Sequence, residues 1–212
     1  MTRTTENRLN FESRLSAARE SIRIGLEYAQ RPIVTTKFGP DSATCLHLLT
    51  REFPNITVVW IDTGCNSRET LRFVEELTHL LSLNLQSFHA HDHPYKLIPD
   101  AHTDEFLDFV NAVKILPFQD ALRTLEPDVW FSGLRRYQTE HRSSQNTFKQ
   151  SSPQMLKVHP LLDWSPDNMK HYEAEFSLPT GPDCIDPTKP RLRVECGLHT
   201  QDWSQNAPVY SQ

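Results

Sequence analysis

The residues with the clearest chemical capacity stand near the C-terminus, in Glu195-Cys196-Gly197-Leu198-His199. A cysteine thiolate is a strong nucleophile near neutral pH, and His199 is placed to assist it, whereas Glu195 opposes the thiolate by repulsion. Gly197 leaves the backbone free to swing, and the mostly polar tail after His199 has little apolar surface to bury. Such a thiol suits access by a large partner. A Cys-His pair by itself is weak evidence, because either residue can simply be structural, so the rest of the chain must supply the context.

Three upstream segments offer anion chemistry. Thr35-Thr36-Lys37-Phe38-Gly39-Pro40-Asp41-Ser42 lies between a strand and a helix, where backbone N–H groups and the helix start can cradle a phosphate or sulfate. The hydroxyls of Thr35, Thr36 and Ser42 add donors, and Gly39 permits close approach. The Gly-x-x-x-x-Gly-Lys spacing of a Walker loop is absent. Asp62-Thr63-Gly64 closes the second strand at its C-terminal end, where open α/β sheets bind ligands, although Asp62 also suits a helix cap. Gly133 precedes a cluster of Arg135, Arg136, Gln138 and Arg142, whose guanidinium forks match phosphate or sulfate; the bland alternative is a solvated basic loop. Lys157, with His159, extends this surface one strand later.

These residues need a scaffold that brings strand ends together. β-branched runs at 32–37, 55–62, 83–90, 129–134 and 155–162 alternate with helical patterns at 42–52, 67–83 and 104–125, the last expected to end at Pro117. Ser165-Pro166 starts a further helix. The expected fold is α/β: a mostly parallel five-stranded sheet with helices on both faces and a C-terminal tail carrying the cysteine. Residues 1–30 read as a helical lead-in, 31–177 as the ligand-binding domain, and 178–212 as a proline-rich loop and catalytic tail.

Composition narrows the partners. A net charge of −5 argues against a general nucleic-acid surface, so an anionic ligand needs a local basic pocket. No stretch approaches the roughly 20 apolar residues of a membrane helix and no signal core is present, which leads to a cytoplasmic expectation with reduced thiols. Cys45, Cys65, Cys184 and Cys196 form no Cys-x-x-Cys or adjacent pair, so neither an iron–sulfur cluster nor a structural metal is expected. The run His91-Asp92-His93-Pro94 reads as a solvated loop.

Five blocks in order carry a resemblance: 35–42, Trp60 to Gly64, Trp130 to Arg136 with Gln138, Thr139 and Arg142, Lys157-Val158-His159-Pro160-Leu161-Leu162-Asp163-Trp164, and the Glu-Cys-Gly-Leu-His end. Together they resemble the phosphoadenosine phosphosulfate reductase family, with its adenine-nucleotide alpha hydrolase-like (PP-loop) fold. The resemblance implies reduction of 3′-phosphoadenylyl sulfate to sulfite and adenosine 3′,5′-bisphosphate through a thiosulfonate on Cys196, in sulfate assimilation. It also implies thioredoxin or glutaredoxin as electron donor and a homodimer. Alternatives are adenylyl-sulfate reduction, a PP-loop ATP pyrophosphatase or sulfur-transfer enzyme, and a non-catalytic sulfonucleotide-binding protein. The missing second glycine in 38–42 weighs against the pyrophosphatase, and the intact thiol motif against the last.

Overall fold

The computed structural model describes residues 3–90, 97–101, 103–183 and 186–189, the first five of these in backbone only. The chain opens with α1 (Arg3–Glu27), then alternates through β1 (Pro32–Thr36), α2 (Ser42–Glu52), β2 (Thr57–Ile61), α3 (Arg68–Leu81) and β3 (Asn84–Phe88). A helical stretch follows: α4 (Asp104–Val110), a π-helical turn (Asn111–Ile115) and α5 (Leu116–Leu125), leading into β4 (Val129–Ser132). A 3-10 turn (Arg136–Gln138), α6 (Glu140–Ser143), β5 (Phe148–Ser152), β6 (Met155–Val158) and α7 (Pro166–Glu175) complete the described elements.

The sheet runs β3-β2-β1-β4-β6-β5, parallel throughout except for the antiparallel β5–β6 hairpin. The expected mostly parallel α/β architecture is therefore present, with a sixth strand added. β5 escaped sequence reading because Phe-Lys-Gln-Ser-Ser is largely exposed and polar, the composition of a loop as much as of an edge strand.

Strand side chains alternate between two apolar layers. Val34, Val58, Phe131 and Val158 face a core filled by Leu46 and Leu49 of α2, Phe73 and Leu77 of α3, and Met169 and Tyr172 of α7. Ile33, Val59 and Trp130 face the opposite way, against Phe118, Ala121 and Leu122 of α5. The first helix belongs to the larger core. Phe11, Leu15, Ala18 and Ile22, spaced at three to four residues, are all buried there.

Local signals explain most boundaries. Ser67 caps α3 by accepting from the Thr70 N–H at 3.1 Å, and Ser165 caps α7 in the same way from Asn168. The helix expected to stop at Pro117 instead continues. Pro117 falls in the first turn of α5, where a missing N–H costs little, and the π turn before it absorbs the mismatch, with the Leu116 N–H donating to the Asn111 carbonyl.

Candidate anion site at the sheet switch point

β1 is the strand from which the order reverses. The chain leaves it towards β2 and β3 on one side and returns to β4 and β6 on the other. In such sheets the crevice beyond the C-terminal ends of the diverging strands is the ligand site. The loop 37–41 follows β1 here, and Gly133 to Arg142 follow β4, so topology brings together two segments about a hundred residues apart.

The first loop is built around Phe38. Its backbone is left-handed, at φ 53°, and its N–H donates to Thr36 Oγ1 at 3.1 Å. Burial of the Phe38 ring, edge-on to Trp60 at 5.7 Å, supports that conformation. The Ser42 N–H donates to the Gly39 carbonyl at 3.0 Å, and α2 begins. Asp41 stands at the N-cap of α2 yet makes no side-chain capping bond. Its carboxylate turns instead to Arg135 Nη2. The first turn of α2 therefore keeps N–H groups that a side chain would otherwise occupy, an arrangement suited to an oxyanion.

Arg135 is the electrostatic centre of the second segment. Its side chain is only 5% exposed, and Nη1 donates to the Gly133 carbonyl at 2.7 Å while Nε donates to the Tyr137 hydroxyl at 3.1 Å. With Asp41 on Nη2, the guanidinium rivets the loop after β4 to the start of α2, so part of its charge is neutralised within the chain. Gln138 Oε1 accepts from the Arg135 N–H at 3.2 Å and from Arg142 Nη1, which orders Arg142 beside it. Arg136 points elsewhere. It donates to Asp163 Oδ1 at 2.7 Å and to the carbonyls of Ser143 and Gln145, and is half-buried in a loop-bracing role. Gly133 packs over Cys45, where an added Cβ would sit 3.4 Å from Sγ, an ordinary contact distance.

Lys157 is buried, its Nζ 4.3 Å from the Trp130 ring centroid, and the Trp130 indole N–H donates to Thr35 Oγ1 at 2.8 Å. Thr35, Trp130 and Lys157 thus form one lateral chain across β1, β4 and β6. Beside it, Ser132 Oγ and His159 Nδ1 share a buried hydrogen bond of 2.8 Å. Burial, with Lys157, Lys149 and Arg142 nearby, pushes His159 down to about 4, so the ring is neutral at pH 7.

Asp62 does not cap α3. Its Oδ1 accepts from the Gly64 N–H at 2.9 Å and from Asn66 Nδ2 at 2.7 Å, folding the loop after β2, with Gly64 at φ 72°. Thr63 is buried and receives the Cys65 N–H at 3.4 Å. A groove of about 440 Å³ lined by His47, Arg51, Ser82 and Phe176 lies at the opposite, N-terminal ends of β2 and β3, away from all of these residues.

A family model described as the phosphoadenosine phosphosulfate reductase domain matches residues 31–182, well over half the chain. The chain belongs to the phosphoadenosine phosphosulfate reductase family. It is an oxidoreductase by that membership. A phosphoadenosine 5′-phosphosulfate reductase of Alkalilimnicola ehrlichii is 34% identical over 213 aligned residues, covering 87% of this chain and 86% of its own. Among solved structures, phosphoadenylyl-sulfate reductase from Candida auris in a phosphate complex superposes with a TM-score of 0.66 at 19% identity, covering 78% of this chain and 82% of that one. FMN adenylyltransferase from Candida glabrata superposes at 0.58 with 15% identity, covering 77% and 55%. At these identities both structures speak for the fold alone.

The Glu-Cys-Gly-Leu-His segment lies beyond the matched residues. Cys196 and His199 lie outside the described residues, as do Cys184, His91 and His93. Trp130, Tyr137 and Gly181 also contribute to this region, although none of them is among the expected site residues. The Gly181 N–H donates to the Pro40 carbonyl at 3.2 Å, and a Cβ added there would stand 2.4 Å from the Gly39 oxygen. The proline-rich connection therefore presses on the anion loop.

Proposed function

We propose that the chain reduces 3′-phosphoadenylyl sulfate to sulfite and adenosine 3′,5′-bisphosphate. The observation that carries this reading is the joining of the 37–41 loop, a helix start without a side-chain cap, to the Arg135–Gln138–Arg142 cluster at the switch point, in a family member that also carries Glu-Cys-Gly-Leu-His. Thr35, Thr36, Phe38, Gly39, Asp41 and Ser42 form the cradle, Asp62, Thr63 and Gly64 the neighbouring wall, and Gly133, Arg135, Gln138, Arg142 and Lys157 the basic side. Arg136 acts by bracing that side through Asp163.

The chemistry balances with one dithiol. Cys196 thiolate attacks the sulfonyl sulfur, the sulfur–oxygen bond to the phosphate breaks, and the bisphosphate leaves with that electron pair. A thiolate of thioredoxin or glutaredoxin then attacks Cys196 Sγ, releasing sulfite and forming a mixed disulfide. The donor's second thiol resolves this disulfide, freeing Cys196 and leaving the donor oxidised by two electrons. His199 assists the thiolate. No iron–sulfur cluster takes part, because Cys45 is buried against Gly133 and the remaining cysteines are too few and too scattered to ligate one. The active form is a homodimer acting in the cytoplasm.

The test is sulfite release from phosphorylated and unphosphorylated sulfonucleotide, with and without reduced thioredoxin. Wild type should prefer the phosphorylated substrate and depend on the donor. Cys196→Ser should abolish release while leaving the affinity for adenosine 3′,5′-bisphosphate within about threefold, since the basic cluster is untouched. Undiminished turnover in Cys196→Ser refutes the mechanism.

A further inference from the structure

We propose that Lys114 is a positioning residue: with Asp186 and Thr188 it knots down the connection that bears Cys196, and so sets how closely the thiol is held to the anion site. The proposal rests on the reading of Cys196 as nucleophile, but the knot itself is independent of that reading.

Lys114 lies in the π-helical turn, whose residues Val113, Lys114 and Ile115 are all buried. Its side chain is 8% exposed, and Nζ donates to Asp186 Oδ2 at 2.6 Å and to Thr188 Oγ1 at 2.7 Å, seventy-odd residues away in the chain. Asp186 Oδ1 in turn accepts the Thr188 N–H at 3.0 Å and the Thr188 hydroxyl at 2.5 Å, and the Lys189 N–H closes on the Asp186 carbonyl at 3.0 Å. Burial alone would raise the Asp186 carboxyl, but the Lys114 ammonium and the Thr188 donors outweigh it and hold the group below the usual carboxylate range. A buried lysine whose charge is met by one carboxylate on a segment without regular structure is costly unless that segment stays in place.

The same connection has an earlier tether. Gly181 sits against Gly39 and Pro40, and Thr180 Oγ1 donates to Glu173 Oε2 at 3.2 Å. The chain is thus held first on the anion loop and again at the π turn. Cys196 follows Lys189 by seven residues, which span at most about 25 Å when extended. Without the knot the last hold among the described residues is Gly181, fifteen residues back, and the reach roughly doubles. Effective concentration falls as about the −3/2 power of tether length, so release of the knot costs roughly threefold in local thiol concentration before any loss of orientation.

The test uses the full chain with Lys114→Met, Asp186→Asn and the double variant. Turnover with 3′-phosphoadenylyl sulfate and affinity for adenosine 3′,5′-bisphosphate are measured on each. Distances between spin labels at Cys196 and at Glu76→Cys on exposed α3 are measured with the other cysteines replaced by alanine. Expected are a kcat at least threefold lower in each single variant, no further loss in the double, nucleotide affinity within twofold, and a broadened distance distribution. An unchanged distribution overturns the knot whatever the activity. A broadened distribution with unchanged kcat overturns its role in catalysis. Tighter dependence of nucleotide affinity on Lys114 than on Asp186 overturns it in favour of direct ligand contact. A wild type that releases no sulfite, while the variants still broaden the distribution, leaves the knot standing and removes the reductase reading.

Discussion

At the scale of single residues, the site is governed by how each charge or polar atom is compensated. His159 is held neutral between Ser132 and three cations, and its pKa is pushed from 6.5 to about 4. The unfolded chain protonates this ring near 6.5 and the folded chain only near 4, so between those values the unfolded state binds more protons. Stability contributed by His159 is therefore complete above about pH 6.5 and is lost as pH falls towards 4, by about 3 kcal/mol in all. Urea titrations of wild type and His159→Asn at several pH values isolate this effect, because the variant cannot titrate there. The stability difference should shift by about that amount across the window, and a flat difference would mean that the ring charges freely in the fold. Cys45, by contrast, is pushed up to about 12 by burial, only partly offset by Arg135, so it stays a thiol and behaves as a packing atom beneath Gly133.

At the scale of elements, the proline-rich connection after α7 packs directly on the candidate anion loop at Gly39 and Pro40. A Cβ at Gly181 meets the Gly39 backbone first and the buried Phe73 ring at 2.8 Å, so Gly181→Ala places an atom where neither neighbour readily gives way. Overpacking of this kind costs about 1–3 kcal/mol. Gly181→Ala should lower the urea midpoint accordingly and also weaken adenosine 3′,5′-bisphosphate binding, measured by calorimetry, because the displaced atoms belong to the anion loop. Loss of stability with unaltered affinity would separate the connection from the site. The helical stretch 104–125 teaches a related lesson. Pro117 is a helix breaker by pattern, but the π turn places it in a first turn, and the same turn presents Lys114 to Asp186.

At the scale of the whole molecule, α1 is inseparable from the sheet. Phe11 is 2% exposed and packs edge-on to Trp164 at 5.9 Å, while the Trp164 indole N–H donates to the Arg14 carbonyl at 3.3 Å. Phe11→Ala should cost about 3–5 kcal/mol. Tryptophan fluorescence and far-ultraviolet circular dichroism should then fall together at one lowered urea midpoint, whereas an early separate melting of α1 would show that the helix is only appended. The amino-acid sequence by itself determined the strand and helix alternation, since β-branched runs and amphipathic spacing act locally, and it marked the helix start at Ser165. It also marked 35–42, 62–64, 133–142 and Lys157 as candidates, because glycine, hydroxyls and guanidiniums in such short runs suit an anion. Tertiary structure alone decided that Asp41 would neutralise Arg135, that Arg136 would turn away to Asp163, that β5 would join the sheet edge, and that Lys114 would meet Asp186. The three side-chain pairings join residues 27 to 94 apart, brought near by a strand order that reverses at β1 and that no local pattern encodes, whereas β5 meets β6 only 3 to 10 residues on, through a polar strand with no apolar signal.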